Sequence, residues 1–325
     1  MTPEFRQTLL GSTLFRNSGV LGVGYGLKEA NGDVTSIPAW RVYVRRKKPL
    51  SQLSAAERVP VSIAGTATDV IARSMTSQSA GSVTTGIGYG SRIANSRGVP
   101  GTLGCLAHTR QDRSPVFLSN WHVLFGNGAE KSGQVWLVDE TDGTRRFSDI
   151  GRSLYGKIGT VRLDGEDYYV DCAVGSFLPP VRGKRRPGQR AWARASMVTG
   201  HDAAKPGYRV TKTGAATGIT SGIVVDISYP DFVWIEGRAY SAPGQLLVQP
   251  IKGCKAFSDE GDSGAVITST ANKVVGLLWG TNCRGEGIAC PIGPVLDSLN
   301  IVLGLPLQPG LRERAWRWLN RTLRR

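Results

Sequence analysis

The sequence has few of the residues from which metal and redox sites are built. It contains three histidines and five cysteines in 325 residues. No CxxC pair or histidine-rich cluster occurs among them, so we predict no metal site. The cysteine count is odd and the spacing is wide, which argues against a framework of disulfides. We expect free, buried thiols, and the sequence leaves open whether Cys254 and Cys283 pair.

Long apolar runs are missing as well. No stretch of about 18 apolar residues occurs, so no transmembrane helix is expected. The first residues lack the basic and then apolar pattern of a signal peptide, which favours a cytoplasmic protein. Nucleotide-binding motifs are incomplete: residues 22–26 and 86–90 are glycine-rich, but they form neither GxGxxG nor a Walker lysine motif. We interpret both as strands that tolerate glycine, and we predict no cofactor.

Acidic residues are outnumbered by basic ones, and the net charge is +15. The excess is densest in residues 301–325, which hold six arginines and one glutamate. Such an excess suits nucleic acid, an anionic membrane or an acidic partner, and equally a solvated surface. No pattern of aromatic residues surrounds the basic run at 45–48, so no specific nucleic-acid partner is predicted.

The patterns divide the chain into three parts. Residues 1–80 combine short helical and strand-like segments around an Asn-Gly turn signal at 31–32, which predicts a small α+β module. Residues 81–304 contain short apolar runs separated by turns, the rhythm of an all-β barrel or sandwich. Residues 305–325 predict a basic amphipathic helix. That helix either packs on the protein's own core or contacts an acidic partner or surface.

One turn in the middle part suggests chemistry. Ser263 lies in a Gly-Asp-Ser-Gly string followed by an apolar run. A nucleophilic serine needs a tight turn that exposes its Oγ and leaves N–H groups free for an oxyanion, although ordinary surface turns use the same residue types. A base and an acid favour the first interpretation. His122 ends an apolar run, and Asp171 interrupts another, where a buried carboxylate needs a partner.

The order His122, Asp171, Ser263 resembles that of the trypsin-like (chymotrypsin-fold) serine proteases. The phrases LSNWHV at 118–123 and GTLGC at 101–105 are most similar to a bacterial branch related to the plant narrow-leaf-type trypsin-like proteins. The resemblance implies that Ser263 is the nucleophile, that His122 is the general base and that Asp171 orients the imidazole.

The same resemblance implies a mainly β fold. Residues 81–304 would form a chymotrypsin-like double β-barrel between the N-terminal α+β module and the C-terminal helical tail. The implied activity is that of a serine endopeptidase acting on a protein or peptide without metal or cofactor.

Further roles follow from the resemblance. The N–H groups of Gly261 and Ser263 would form the oxyanion hole. Phe257, six residues before the serine, would lie near the base of the specificity pocket, with Trp279 and Gly280 along one wall. Relatives that prefer Arg or Lys have an acid at the base, so Phe257 favours an apolar or small substrate side chain.

Two positions depart from the family pattern. Leu278 stands where many relatives have a serine that bonds to the catalytic acid, so Asp171 must find other donors. Asp262 pairs in many secreted relatives with a freshly cut N-terminus, and no Ile-Val-Gly-Gly-like start precedes it here. We hypothesise that the N-terminal module or a regulatory protein partner controls the site instead. The competing class is a catalytically silent binding or scaffold protein on a protease fold.

Overall fold

The chain is mainly β and is built from two sheets. The computed structural model describes residues 19–72, 88–141, 144–178, 198–235 and 238–304. The segment at 1–18 and the basic helix predicted at 305–325 lie outside the described residues.

The described part has nineteen strands and two short α-helices. The first strands are β1 (Val20–Ala30), β2 (Asp33–Val44), β3 (Ser62–Ile63), β4 (Thr66–Ala72), β5 (Arg92–Asn95), β6 (Pro100–Thr102), β7 (Cys105–Thr109), β8 (Pro115–Ser119), β9 (Gln134–Thr141), β10 (Thr144–Leu163) and β11 (Glu166–Phe177). The later strands are β12 (Gly200–His201), β13 (Arg209–Gly214), β14 (Gly218–Ile235), β15 (Arg238–Pro250), β16 (Val266–Ser269), β17 (Lys273–Thr281), β18 (Gly287–Pro291) and β19 (Ile301–Val302). The helices are α1 (Trp121–Phe125) and α2 (Ile292–Leu299).

Six strands close into a barrel. Their order is β13-β16-β17-β18-β15-β14, and β14 pairs back with β13. The closing ladder runs from Arg209 opposite Ile223 to Gly214 opposite Gly218. Its interior is filled by buried apolar side chains, Phe257 among them. This confirms a mainly β fold with a closed barrel.

The other sheet has eight strands in the order β19-β7-β8-β11-β10-β9-β5-β6. No ladder between described strands closes it, so the second barrel stays a prediction. Its β7 and β8 form an antiparallel hairpin with Cys105 opposite Leu118, and α1 begins two residues after β8 ends. The hairpin therefore places residue 122 just beyond the C-terminal end of β8.

The N-terminal strands β1 to β4 continue the barrel's sheet, because β1 pairs antiparallel with β14 at Gly26 opposite Asp226. The turn between β1 and β2 has positive φ at both Asn31 and Gly32 (53° and 85°), as the Asn-Gly signal predicted. A helix suits the sequence at 51–58, but two 3-10 turns form there instead. Ser54 interrupts the segment, since it and Glu57 form a capping box.

Buried charges fix this module against the barrel. The fully buried Arg41 lies 2.6 Å from Glu29 Oε1 and donates to the carbonyl oxygen of Val225 at 3.1 Å. Its Nε lies 3.7 Å from Oδ2 of Asp226, which also accepts the hydroxyl of Tyr43 at 2.5 Å. Burial raises the pKa of Asp226 despite the charge of Arg41. Buried charges are tolerated only with such partners, so residues 19–72 and the barrel pack in one defined orientation.

An apolar cluster extends this contact toward the barrel's later strands. Tyr43 and Ile71 of the module pack in one buried cluster with Leu247 and Ile288, and Trp279 packs against that cluster. The module therefore supports the strand β17 that carries Trp279. This is a physical route by which the module reaches residues near the serine turn.

We expect Gly32→Ala to lower the free energy of unfolding by about 1 kcal/mol, because alanine is disfavoured at φ 85°. Nothing lies within 4 Å of a Cβ at this position, so the effect isolates the backbone. Gly293→Ala in α2 is the matched control, and a Cβ there also meets nothing within 4 Å. It should raise stability by up to about 0.5 kcal/mol. Urea midpoints that shift in the same direction for both variants contradict the prediction.

All five cysteines lie in the described ranges, and no disulfide joins any of them. Cys105, Cys172 and Cys290 are buried as predicted, and burial raises the pKa of Cys105 to about 12. Cys254 and Cys283 are exposed, so the prediction of buried thiols is wrong for these two, which lie in loops outside the strands. No helix of the described ranges has both the length and the apolar character needed to cross a membrane.

Candidate active site

His122 lies in the single turn of helix that follows β8. The residues of β8 are buried after its first position, so the strand is held firmly in the sheet. Asn120 is fully buried, and its Nδ2 donates to the carbonyl oxygen of Asp171 at 2.6 Å. This bond ties the entrance of α1 to β11. The side chain of His122 remains 35% exposed, which leaves it accessible to another molecule.

Asp171 holds the imidazole of His122. The two strands β8 and β11 pair antiparallel with Ser119 opposite Ala173, which brings Asp171 beside α1. Its Oδ2 lies 2.5 Å from His122 Nδ1, and its Oδ1 accepts the backbone N–H of His122 at 3.1 Å. A carboxylate only accepts, so Nδ1 carries the proton and Nε2 is left as the base.

The backbone N–H of His122 is thus one of the donors that Asp171 needs in the absence of a serine at 278. The carboxylate is almost fully buried, with 3% of its side chain exposed. Burial lowers the pKa of His122, but the charge of Asp171 and the hydrogen bond to it raise that pKa by more. The net pKa is therefore above the ordinary value of 6.5.

Residues of the eight-stranded sheet hold the turn that contains Ser263. Both Gly261 and Gly264 have left-handed φ, 94° and 96°, which glycine adopts without strain. Thr102 donates its N–H to the carbonyl oxygen of Ser263 at 2.7 Å and its hydroxyl to that of Gly261 at 2.8 Å. A Cβ on Gly264 would lie only 2.3 Å from Ser119 Oγ. The turn is therefore packed against the end of β8, the strand that leads into α1.

In the structure Asp171 pairs with His122. The Ser263 turn packs against the end of β8, the strand that leads to His122. The hydroxyl of Ser263 donates to the carbonyl oxygen of Trp279 at 3.3 Å, and no hydrogen bond links it to His122. Catalytic hydrogen bonds are often long or unformed in unliganded sites. Among described residues, the N–H groups of Gly261 and Ser263 have no acceptor, so both are available to an oxyanion.

Asp262 anchors the serine turn to β13 and to the turn that follows β13. Its carboxylate and the ammonium of Lys212 are 2.9 Å apart, and both side chains are fully buried. Oδ1 also accepts the N–H groups of Ala216 at 2.8 Å and Thr217 at 3.1 Å. Oδ2 accepts the Thr217 hydroxyl at 2.7 Å and the N–H of Asp259 at 3.1 Å. These bonds fix residues 259–263 to β13 and to the turn that follows it.

Lys212 was missed in the sequence, although a signal was there. In β13 the buried positions alternate as Val210, Lys212 and Gly214, which places a lysine on the inward face. A buried lysine requires an anionic partner, and a search for one among the unexplained acids would have included Asp262. Burial lowers the pKa of Lys212 by more than the charge of Asp262 raises it.

Phe257, predicted to lie near the base of the specificity pocket, lies in the core of the closed barrel. Its side chain is fully buried, and the ring occupies the space above Gly222 and Gly287, where a Cβ would come within 2.8 and 2.6 Å of it. The Lys212 ammonium lies 5.8 Å from the ring centroid. Phe257 is thus part of the packed interior of the barrel. Its role in substrate preference stays a prediction.

Trp279 and Gly280 lie on β17, next to the serine turn. Gly280 pairs with Ile288 of β18, and the ladder is irregular between Leu278 and Gly280. Such an irregularity twists the strand and re-aims its side chains. The carbonyl oxygen of Trp279 is the acceptor for Ser263, which places this strand directly beside the serine.

Comparisons with known proteins found likenesses in solved structures alone. No protein-family model and no curated protein matches the chain. A glutamic-acid-specific serine protease is 16% identical, with a TM-score of 0.46, over 67% of this chain and 100% of that one. A Nocardiopsis protease and Thermobifida fusca protease A are each 18% identical, with TM-scores of 0.44 and 0.42, over 67% of this chain and 98% of theirs. These neighbours are trypsin-like serine proteases. Identities and TM-scores this low carry no inference about this chain, so its function has to be inferred from the site.

Proposed function

We propose that the protein is a serine endopeptidase that cleaves a protein or peptide substrate through Ser263, His122 and Asp171. The observation that supports this most strongly is the pairing of Asp171 with His122 Nδ1 at 2.5 Å. That pairing leaves Nε2 as an accessible base beside a glycine-flanked serine turn. A catalytic triad accounts for a nearly buried carboxylate, an imidazole that is 35% exposed and turn N–H groups without an acceptor in one place.

The chemistry is acyl transfer through an acyl-enzyme. Ser263 Oγ attacks the substrate carbonyl while His122 Nε2 takes the hydroxyl proton, and His122 then gives that proton to the leaving amine. Asp171 holds the imidazole and stabilises its charged form. The N–H groups of Gly261 and Ser263 stabilise the oxyanion, and each such donor contributes about 2.7–4 kcal/mol to lowering the barrier. A water molecule then repeats the steps to release the acid.

We expect a fluorophosphonate probe to label the protein on Ser263 and to leave Ser263→Ala unlabelled. Ser241→Ala is the matched control, since Ser241 is exposed on β15, and it should label like the parent. Turnover of a peptide beside that of an ester then separates an endopeptidase from an esterase. Labelling that persists in Ser263→Ala contradicts the proposal, and so does a parent that stays unlabelled both alone and with an added peptide or protein partner.

One observation favours the alternative of a silent binding protein, or of an enzyme that a partner must activate. The Ser263 hydroxyl bonds to the carbonyl oxygen of Trp279 rather than to His122. A productive arrangement requires the Ser263 hydroxyl to turn from that carbonyl oxygen to His122 Nε2. An unlabelled parent that becomes labelled when a peptide or protein partner is added identifies the activated enzyme.

We expect the labelling rate to rise with pH through an apparent pKa above 6.5. The reason is that the imidazole must be neutral to accept the proton, and Asp171 raises the pKa of His122. The sign follows directly: a raised pKa keeps the base protonated to higher pH, so activity is lost as pH falls through that value. Rates measured between about pH 5 and 9 with the probe test this. A pH-independent rate contradicts the role of His122.

A further inference from the structure

Gln245 lies where the two sheets meet. It belongs to β15, and its side chain is fully buried, although glutamine is mostly an exposed residue type. The preceding Gly244 allows β15 to approach β11 of the other sheet, since a Cβ there would lie 2.9 Å from the carbonyl oxygen of Asp167. A buried amide in such a place needs a partner for its donors and its acceptor.

Both ends of the Gln245 amide have partners. Nε2 donates to the carbonyl oxygens of Tyr169 at 2.9 Å and Pro243 at 2.8 Å. Oε1 accepts the indole N–H of Trp279 at 2.7 Å. An indole N–H only donates and a carbonyl only accepts, so these partners decide which end of the amide is nitrogen and which is oxygen.

The partners of Gln245 are connected to Asp171 on one side and to Ser263 on the other. Tyr169 is two residues before Asp171 on β11, so the two side chains share a face of the strand. Trp279 provides the carbonyl oxygen that accepts the hydroxyl of Ser263 at 3.3 Å. The rings of Tyr169 and Trp279 also pack together, with centroids 5.4 Å apart.

The Asp171 carboxylate has no direct support from the barrel sheet in the described ranges. Its two hydrogen bonds both come from His122, and the side chain of Leu278, which cannot donate, packs in the barrel core with Phe257. A chain of hydrogen bonds between β11, which carries the acid, and β17, which lies beside the serine, passes through Gln245.

We propose that Gln245 is a positioning residue for the reaction, which holds the Asp171–His122 pair and the Trp279 strand in register across the boundary between the sheets. The inference rests on the proposed function, because it concerns the geometry of the same site. Misplacement of reacting groups by about 1 Å costs about 100-fold in rate, so a link of this kind has a measurable effect.

The test compares Gln245→Met with the parent protein. Methionine fills a similar volume but offers no N–H and no amide oxygen. We expect labelling of Ser263 by a fluorophosphonate to slow about tenfold. The pKa of His122, followed by NMR of the three histidines, should fall toward 6.5 because Asp171 shifts away. Gln249→Met, at a half-buried position of the same strand, is the matched control and should match the parent in both measurements.

The NMR titration does not depend on activity, so the two inferences fail separately. A parent that does not label, alone or with an added partner, removes the proposed function, while a changed His122 pKa in Gln245→Met still supports the positioning role. A folded Gln245→Met that keeps both the labelling rate and the His122 pKa of the parent overturns it.

Gln245→Glu keeps the proposal testable where Gln245→Met does not fold. A protonated carboxyl accepts from Trp279 and donates once to Tyr169 or Pro243, whereas the ionised form faces both carbonyls with no donor. Burial favours the protonated form. We expect a labelling rate between those of the parent and of Gln245→Met, with an additional loss as pH rises. A pH profile identical to the parent's overturns the proposal.

Discussion

Asp171→Asn is expected to slow turnover by about 10,000-fold while the fold is retained. In the structure Oδ1 accepts the backbone N–H of His122, and Oδ2 faces Nδ1. An asparagine keeps its oxygen on the backbone N–H and therefore turns its NH₂ group toward the ring. Nδ1 must then accept, so the proton moves to Nε2, and the nitrogen that faces the substrate can no longer serve as a base.

The measurement is the labelling rate at a pH above the parent's apparent pKa. Asp167→Asn is the matched control, since Asp167 lies four residues earlier on the same strand with 53% of its side chain exposed. It should label at the parent's rate. NMR should also show a lower His122 pKa in Asp171→Asn, because the charge that raises it is gone. Equal labelling rates for Asp171→Asn and the parent contradict the assigned triad.

The features that were predicted best from the sequence depend on residues that are close together along the chain. The Asn31-Gly32 turn, for example, follows from local turn chemistry. Asp171 could also be singled out locally, because an acid inside an apolar strand needs a partner wherever that partner is. The pairing with His122, 49 residues earlier, came from the resemblance to a family and not from periodicity.

Features that join distant segments could not be predicted. The pairing of β1 with β14 links residues about 200 positions apart, and backbone pairing leaves no residue-specific mark in a sequence. Gln245 and Lys212 bond to groups 76 and 50 residues away. Each could be flagged as a polar residue at an inward strand position, but the partner depends on how the two sheets pack. The second barrel and the specificity pocket stay predictions for the same reason.

Lys212→Met is expected to lower the free energy of unfolding by about 3–5 kcal/mol. Both members of the Lys212–Asp262 pair are fully buried, so removal of the cation leaves an uncompensated carboxylate in the barrel wall. Domains are stable by only about 5–15 kcal/mol, so this is a large share. Urea unfolding at neutral pH measures it. Lys273→Met is the control, since Lys273 is exposed at the start of β17, and it should change stability by at most about 0.5 kcal/mol.

The same substitution should also affect the serine. Asp262 holds the N–H of Asp259 and the segment 216–217, and the flanking N–H groups of Gly261 and Ser263 depend on that turn. If the turn relaxes, an oxyanion donor is misplaced, and labelling should slow by about 100-fold.

The double variant Lys212→Met/Asp262→Asn removes both charges and should recover stability. Because the asparagine side chain offers one acceptor oxygen in place of the two of the carboxylate, this double variant should recover labelling less completely than stability. Full recovery of both would show that the pair contributes charge balance alone and does not shape the turn.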